Sequence, residues 1–353
     1  MKRLLLLPFS WLFYMVVQFR HLLFGLGILP SKTYDIPIIS VGNLSLGGSG
    51  KTPHTEYLIR LLANDFKLAV LSRGYKRKTK GFVVANANSE YSDIGDEPMQ
   101  YFRKFSDKIL LAVDENRCHG VETLLQDDPG LQLILLDDAM QHRYIKPGLS
   151  ILLTDYRNLY ADDMMFPSGS LRDVKSAAKR ADIIIVTKTE KILSPLVRRE
   201  IKRKLNPRFY QRLYFSYLKY KNLISFFTGE EVKLKKRYPV IIMFSGVANS
   251  YPMKDHLRNY CRELISLDFP DHHRYHRKDL ELILQTYSNQ FTKNKIIVTT
   301  EKDAMRLLNS PYLRLLKDLP MYYLPIEVKL HGKDEAKFNK QILEYVTETN
   351  RNR

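Results

Sequence analysis

Short apolar runs recur along the chain from Asp35 onward, and a helix-length stretch follows most of them. The runs at residues 37–41, 68–71, 109–113, 131–136, 150–154 and 182–187 are almost uniformly apolar. A half-solvated strand would alternate; a strand covered by helices on both faces reads this way. Helices fit between the runs, at 51–63, 97–105, 115–125 and 174–180. The pattern predicts a doubly wound parallel sheet that gathers ligands at the carboxyl ends of its strands. Residues 81–85 read as a short extra strand on an excursion from that sheet.

Later the pattern changes. Residues 209–219 form a long, aromatic, alternating run with no helix after it. A second series of strands and helices begins near 239–244, passes through strands at 264–267 and 295–299, and ends at a long run, 321–329. The expected fold class is α/β: a P-loop doubly wound parallel sheet domain at 31–208, with a second, smaller α/β domain at 220–319. A two-stranded β linker, 209–219 with 320–329, joins them. Residues 1–30 form an N-terminal helix, and 330–353 a C-terminal helix whose polar end, after Glu344, is expected to fray.

Composition narrows the partners. The chain has 353 residues and a net charge of +18. Nucleic acid, an anionic membrane or a polyanionic substrate would each answer that charge. No aromatic-and-basic RNA signature or DNA-binding helix pair is present, so nucleic acid is not expected. Cys118 and Cys261 are too few for a disulfide framework and suit a reducing compartment. The apolar run at 4–17 is shorter than the roughly 20 residues that span a bilayer, and Pro8, Ser10, Gln18, Arg20 and His21 interrupt it. No small-residue cleavage site follows. An interfacial helix is expected instead, with Trp11, Phe13, Tyr14 and Phe19 among headgroups and Lys2, Arg3 and Arg20 on anionic lipid. A helix packed on the protein itself is the alternative.

The chemistry begins at residues 37–63, PIISVGNLSLGGSGKTPHTEYLIRLLA. A buried strand, a glycine-rich loop, a Lys-Thr pair and a helix follow in the order that builds a phosphate-binding loop. Asn43, Ser45, Gly47, Gly48, Ser49 and Gly50 supply the cradle; Lys51 reaches the outer phosphates and Thr52 the magnesium. Ser45 stands where a stringent match has glycine. Asp137 ends the run LQLILLD, where an acid at a strand tip meets magnesium; capping the next turn is its simpler role. Asp138, Gln141 and His142 follow in DDAMQH. Asp96 and Glu97 in GDEP suit a helix N-cap and first turn, a role compatible with catalysis. Arg73, Arg117 and Arg172 fall just past strand ends or in loops, where they would rim a site for a phosphate-bearing substrate. In FPDHHRY, an Asp-His pair follows a strand; a zinc site at His272, His273 and His276 lacks a thiolate or a spaced fourth ligand. TTEKD at 299–303 reads as a helix cap with a first-turn ion pair. Thr187-Lys188-Thr189-Glu190 has Glu where a guanine reader has Asp, which favours ATP over GTP.

Together VGNLSLGGSGKTP, SRGY, GDEP, DDAMQH, FPSGSLRD, FPDHH and TTEKDA resemble, in this order, the tetraacyldisaccharide 4'-kinase (lipid A 4'-kinase) family of Gram-negative bacteria, from about residue 36 to 307. That family usually has Gly-Leu where Ala139-Met140 stand here. The resemblance implies transfer of the ATP γ-phosphate to the 4'-hydroxyl of a tetraacylated glucosamine disaccharide 1-phosphate, giving lipid IVA in lipopolysaccharide biosynthesis. It implies Asp96 as general base, with His272 as its partner across a closing domain cleft, and Lys51 on the transferring phosphoryl group. Thr52, Asp137 and Glu97 would attend Mg2+, and Arg73, Arg117, Asp138, Gln141, His142 and Arg172 the substrate. It also implies work at the cytoplasmic face of the inner membrane, on a membrane lipid, without an obligate protein partner. The competing reading is a P-loop GTPase or ATPase switch acting on a protein.

Overall fold

In a computed structural model, residues 5–235, 237–308 and 310–353 are described. Lys2 and Arg3, part of the expected membrane contact, lie outside them. The chain divides into two units, Met1–Leu218 with Val328–Arg353, and Lys219–Glu327.

The first unit begins with α1 (Leu7–Gly25). Pro8 lies in its first turn, where a missing N–H costs nothing, so it starts the helix rather than interrupting it. Ser10, Arg20 and His21 do not break it either: each bonds to the body of the unit. Then follow β1 (Ile38–Asn43), α2 (Lys51–Leu62), β2 (Leu68–Ser72), β3 (Val83–Val84), α3 (Tyr91–Ile94), α4 (Asp96–Phe105), β4 (Ile109–Val113), α5 (Arg117–Asp127), β5 (Leu133–Asp137), β6 (Leu149–Asp155), β7 (Ile183–Thr187), α6 (Pro195–Leu205) and β8 (Arg212–Tyr220). Residues 175–180, expected as an α-helix, form a 3-10 helix.

The sheet order is β15-β8-β7-β6-β1-β5-β2-β4-β3, where β15 is Ile326–Leu330. Every pairing from β8 through β4 is parallel, and β3 adds an antiparallel edge on β4. Strands β1, β2, β5 and β7 are buried at every residue, as their uniform apolarity requires. Burying one such Leu or Ile contributes about 1.5–3 kcal/mol. β1 lies between β5 and β6, so the loop after it opens at the middle of the carboxyl edge.

In the second unit, β9 (Leu223–Ser225), β10 (Glu231–Val232), β11 (Tyr238–Ser245), α7 (Tyr251–Arg258), β12 (Cys261–Asp268), α8 (Arg277–Ser288), β13 (Lys295–Thr300), α9 (Glu301–Leu307) and β14 (Met321–Leu324) build a sheet of order β10-β9-β14-β13-β11-β12. β12, β11, β13 and β14 are parallel; β9 and β10 return antiparallel.

Residues 321–329, read as one long strand, are two. Pro325, which has no N–H to donate, separates β14 in the second sheet from β15 in the first. The chain ends in α10 (Asp334–Arg351). Its last turns do not fray as expected. Val346 is buried, and the Tyr345 hydroxyl accepts from Ile38 N at 3.1 Å, which ties the helix to the start of β1.

Candidate functional site

The turn after β1 is glycine-rich because its backbone demands it. Gly47 and Gly50 have φ of +103° and +87°, in the left-handed region that favours glycine. Gly50 is also the N-cap of α2, so the loop delivers its N–H groups to a helix N-terminus, where anions are favoured. Thr187 Oγ1 donates to Ser49 O at 2.8 Å, and Lys188 Nζ, held to Asp155 at 2.8 Å, donates to Gly48 O. Two residues at the end of β7 thus clasp the loop. From beneath, His54 Nδ1 donates to Gly50 O at 2.7 Å, and Ser216 Oγ on β8 donates to His54 Nε2 at 2.9 Å.

Ser45 and Leu46 are also tied to a neighbouring segment. They lie antiparallel to the segment around Leu171: Leu46 N donates to Ser170 O at 2.6 Å, and Arg172 N to Leu44 O at 2.8 Å. This pairing brings Arg172 to the loop. Its guanidinium donates to both Asp138 oxygens and, at 2.7 Å, to Asn43 Oδ1. Lys51 Nζ donates to the same Asn43 oxygen at 3.3 Å and stands 3.6 Å from Asp138. Burial would raise the Asp138 carboxyl, but Lys51 and Arg172 hold it below its ordinary value. Gln141 Nε2 donates to Asn43 O at 2.7 Å. A Cβ on Gly42 would come within 2.6 Å of Met140 Cβ and 2.8 Å of its nitrogen. Gly42 therefore lets the turn after β5 close onto β1. Ala139 fits that turn because the left-handed residue there is Asp138, with φ +50°.

Asp96 and Glu97 open α4, with Gly95 rather than Asp96 as the N-cap. A Cβ on Gly95 would approach Gly74 and Tyr75 backbone at 3.1–3.3 Å. The SRGY and GDEP loops touch there, which sets Arg73 at the end of β2 beside the start of α4. Glu97 Oε1 accepts from Thr52 Oγ1 at 3.0 Å. Asp137, at the tip of β5, accepts from Thr55 Oγ1 at 3.3 Å. Burial, then the charges of Glu97 and Asp138, push the Asp137 carboxyl well up.

This donor set fits magnesium. It is hydroxyl and carboxylate oxygen, the Asp137 carboxylate is buried among like charges that a cation would relieve, and Mg2+ needs only one or two carboxylates beside nucleotide phosphates. Among the described residues no cluster of three or more His, Cys, Asp or Glu is arranged to hold an ion by itself.

Arg117 is buried at the start of α5, where burial lowers it to about 10; it donates to the Asp114 and Glu115 carbonyls at 3.3 Å. Burial lowers His142 to about 4, helped by Arg117, Arg20 and Arg73, so this imidazole is neutral. Arg117 Nε, His142 Nε2, Arg172 Nε and Ser49 Oγ are buried without a hydrogen-bond partner. Such atoms are rare in a finished interior and common in a site that awaits a ligand.

In the second unit, His272 has φ +60°, and Arg306 Nη2 donates to its Nδ1 at 3.2 Å. Asp271 lies 3.9 Å from its Nε2. His273 bonds Asp279 at 2.9 Å and stacks on Phe269, and His276 caps α8. The three histidines have separate jobs, and the zinc reading fails. Thr300 caps α9 by accepting from Asp303 N, as TTEKD suggested.

Sequence reasoning missed His54, Lys188, Asp155 and Arg306. Only Lys188 carried a signal, its place after an apolar strand end in Thr-Lys-Thr-Glu.

The sequence matches the family described as LpxK, tetraacyldisaccharide-1-P 4'-kinase, over residues 2–347. The tetraacyldisaccharide 4'-kinase of Bacteroides thetaiotaomicron is 44% identical, with 98% of this chain and 94% of that protein aligned. That of Flavobacterium johnsoniae is 44% identical, with 98% of each aligned. A crystal structure of "apo" form LpxK from Aquifex aeolicus in complex with ATP superposes with a TM-score of 0.74 at 30% identity, covering 98% of this chain and all of that one. The chain belongs to the tetraacyldisaccharide-1-P 4'-kinase family.

Proposed function

We propose that the first unit binds ATP in the loop at 43–52 and transfers its γ-phosphate to the 4'-hydroxyl of a tetraacylated glucosamine disaccharide 1-phosphate. The buried, unpartnered nitrogens of Arg117, Arg172 and His142 beside the phosphate loop carry this reading. A phosphorylated sugar supplies the acceptors those nitrogens lack.

Lys51 neutralises charge on the transferring phosphoryl group, and Asn43 and Asp138 hold its ammonium in place. Asp96, in the first turn of α4, accepts the proton of the attacking hydroxyl. Thr52, Asp137 and Glu97 are the residues that would hold magnesium, which would supply charge neutralisation to the nucleotide phosphates. Arg73 and Arg117 receive the substrate's phosphate and sugar face, with Gln141 and His142 beside them. His272 takes part in the acceptor chemistry.

The acceptor is a membrane lipid, and α1 suits a membrane surface. Phe9, Trp11, Leu12, Val16 and Phe19 are each more than half exposed along it. Phe13 instead packs on Phe166 at 6.3 Å. No described helix is long and apolar enough to cross a bilayer, so α1 is proposed to lie on the cytoplasmic face of the inner membrane, where ATP and anionic lipid meet. Incubating the protein with Mg2+, labelled ATP and the lipid tests the reading. Label must enter the lipid, and Lys51→Ala or Asp96→Ala must abolish it.

A further inference from the structure

In the second unit the strand order β12-β11-β13 reverses direction about β11, and the carboxyl end of such a switch point is where α/β sheets leave a crevice. Here the crevice is filled from within. Asp303, fully buried in the first turn of α9, accepts from Gly246 N at 3.1 Å, Thr300 Oγ1 at 2.6 Å and Arg306 Nη1 at 3.0 Å. Arg306, itself buried, also donates from Nη1 to Gly246 O at 2.9 Å. Gly246 O accepts again from His272 N at 3.1 Å. A Cβ at Gly246 would sit 2.9 Å from His273 Cβ and 3.2 Å from Pro270 O, so only glycine lets the two loops meet.

A second nitrogen of the same guanidinium, Arg306 Nη2, lies 3.2 Å from His272 Nδ1. A guanidinium has donors and no acceptor. His272 Nδ1 must therefore accept, and the ring proton sits on Nε2. The positive φ of His272, costly for a residue with a Cβ, is held by the same contacts.

We propose that Arg306, locked by Asp303 and Gly246, is a positioning residue that keeps the His272 proton on Nε2, so that the ring offers a hydrogen-bond donor there. A proton acceptor at Nε2 is excluded in that state. The proposal rests on the reading that His272 takes part in the reaction; the tautomer itself does not.

The test is nitrogen NMR of the full chain labelled at histidine, in mildly alkaline buffer, with the His272 signals identified by their loss in His272→Gln. The expected spectrum has a bare Nδ1 and a protonated Nε2. Arg306→Met should mix the tautomers and lower kcat about 10- to 100-fold, the usual range for such supporting contacts, with KM for ATP little changed. Arg306→Lys, which retains a donor, should recover part of kcat. A wild-type proton on Nδ1 overturns the proposal whether or not Arg306→Met folds. So does full activity in a folded Arg306→Met. Full activity in His272→Gln would instead defeat the assignment of His272 to the reaction, and the spectrum would still decide the tautomer.

Discussion

The guanidinium of Arg172 donates to both carboxylate oxygens of Asp138, and that carboxylate lies 3.6 Å from Lys51 Nζ. Asp138 therefore sets two cations at once, one on the loop after β1 and one on the segment paired with it. Asp138→Asn keeps the shape and removes the charge. It should lower kcat/KM about 10- to 100-fold, with loss in kcat if Lys51 is displaced in the transition state and in lipid KM if Arg172 is. Steady-state kinetics with both substrates varied separates the two.

Lys188 ties Asp155 to the Gly48 carbonyl. Lys188→Met removes a charge-assisted hydrogen bond of about 1.5–3 kcal/mol. The phosphate loop should loosen, and KM for ATP should rise about tenfold or more, since each 1.4 kcal/mol is a factor of about ten. Thermal stability without nucleotide should fall as well. An unchanged KM would mean that the loop keeps its form without the clasp.

Gly42 admits Met140 Cβ and backbone where a methyl would stand. Gly42→Ala must push the turn bearing Asp137 and Asp138 away from β1. Overpacking of this kind costs about 1–3 kcal/mol, and activity should fall more than stability does. Denaturant midpoints beside kcat would show it.

His21 Nε2 donates to Asp173 Oδ1 at 2.6 Å, while Arg143 Nη1 donates to the other ring nitrogen at 2.8 Å. Burial raises the Asp173 carboxyl, but the bonds from His21 and Arg180 outweigh it and hold it below its ordinary value. A depressed carboxyl stabilises the fold above the unfolded pKa, and that stability is lost as pH falls through the folded one. Wild type should therefore exceed Asp173→Asn by about 2 kcal/mol near neutrality, and the gap should close below the ordinary carboxylate range. A gap constant down to strong acid would contradict the pairing. A chain lacking residues 1–29 should also move from membrane to soluble fractions; unchanged partition would refute α1 as the anchor.

Periodicity revealed the parallel sheet because strands covered on both faces leave an unbroken apolar record. The phosphate loop was legible because its glycines answer a backbone need that composition displays. What stayed hidden depends on distant partners. The run at 321–329 looks continuous until Pro325 sends its halves to different sheets. The polar end of α10 reads as solvent-facing, yet Tyr345 bonds the Ile38 amide. Arg306 gave no local sign of its bond to His272, 34 residues earlier.

The most direct measurement is phosphate transfer to tetraacyldisaccharide 1-phosphate, with Mg2+ and either ATP or GTP, in the presence and absence of the lipid. A 4'-phosphorylated product is expected from ATP, and no transfer in Asp96→Ala. No lipid product, together with faster hydrolysis of GTP than of ATP, would contradict it.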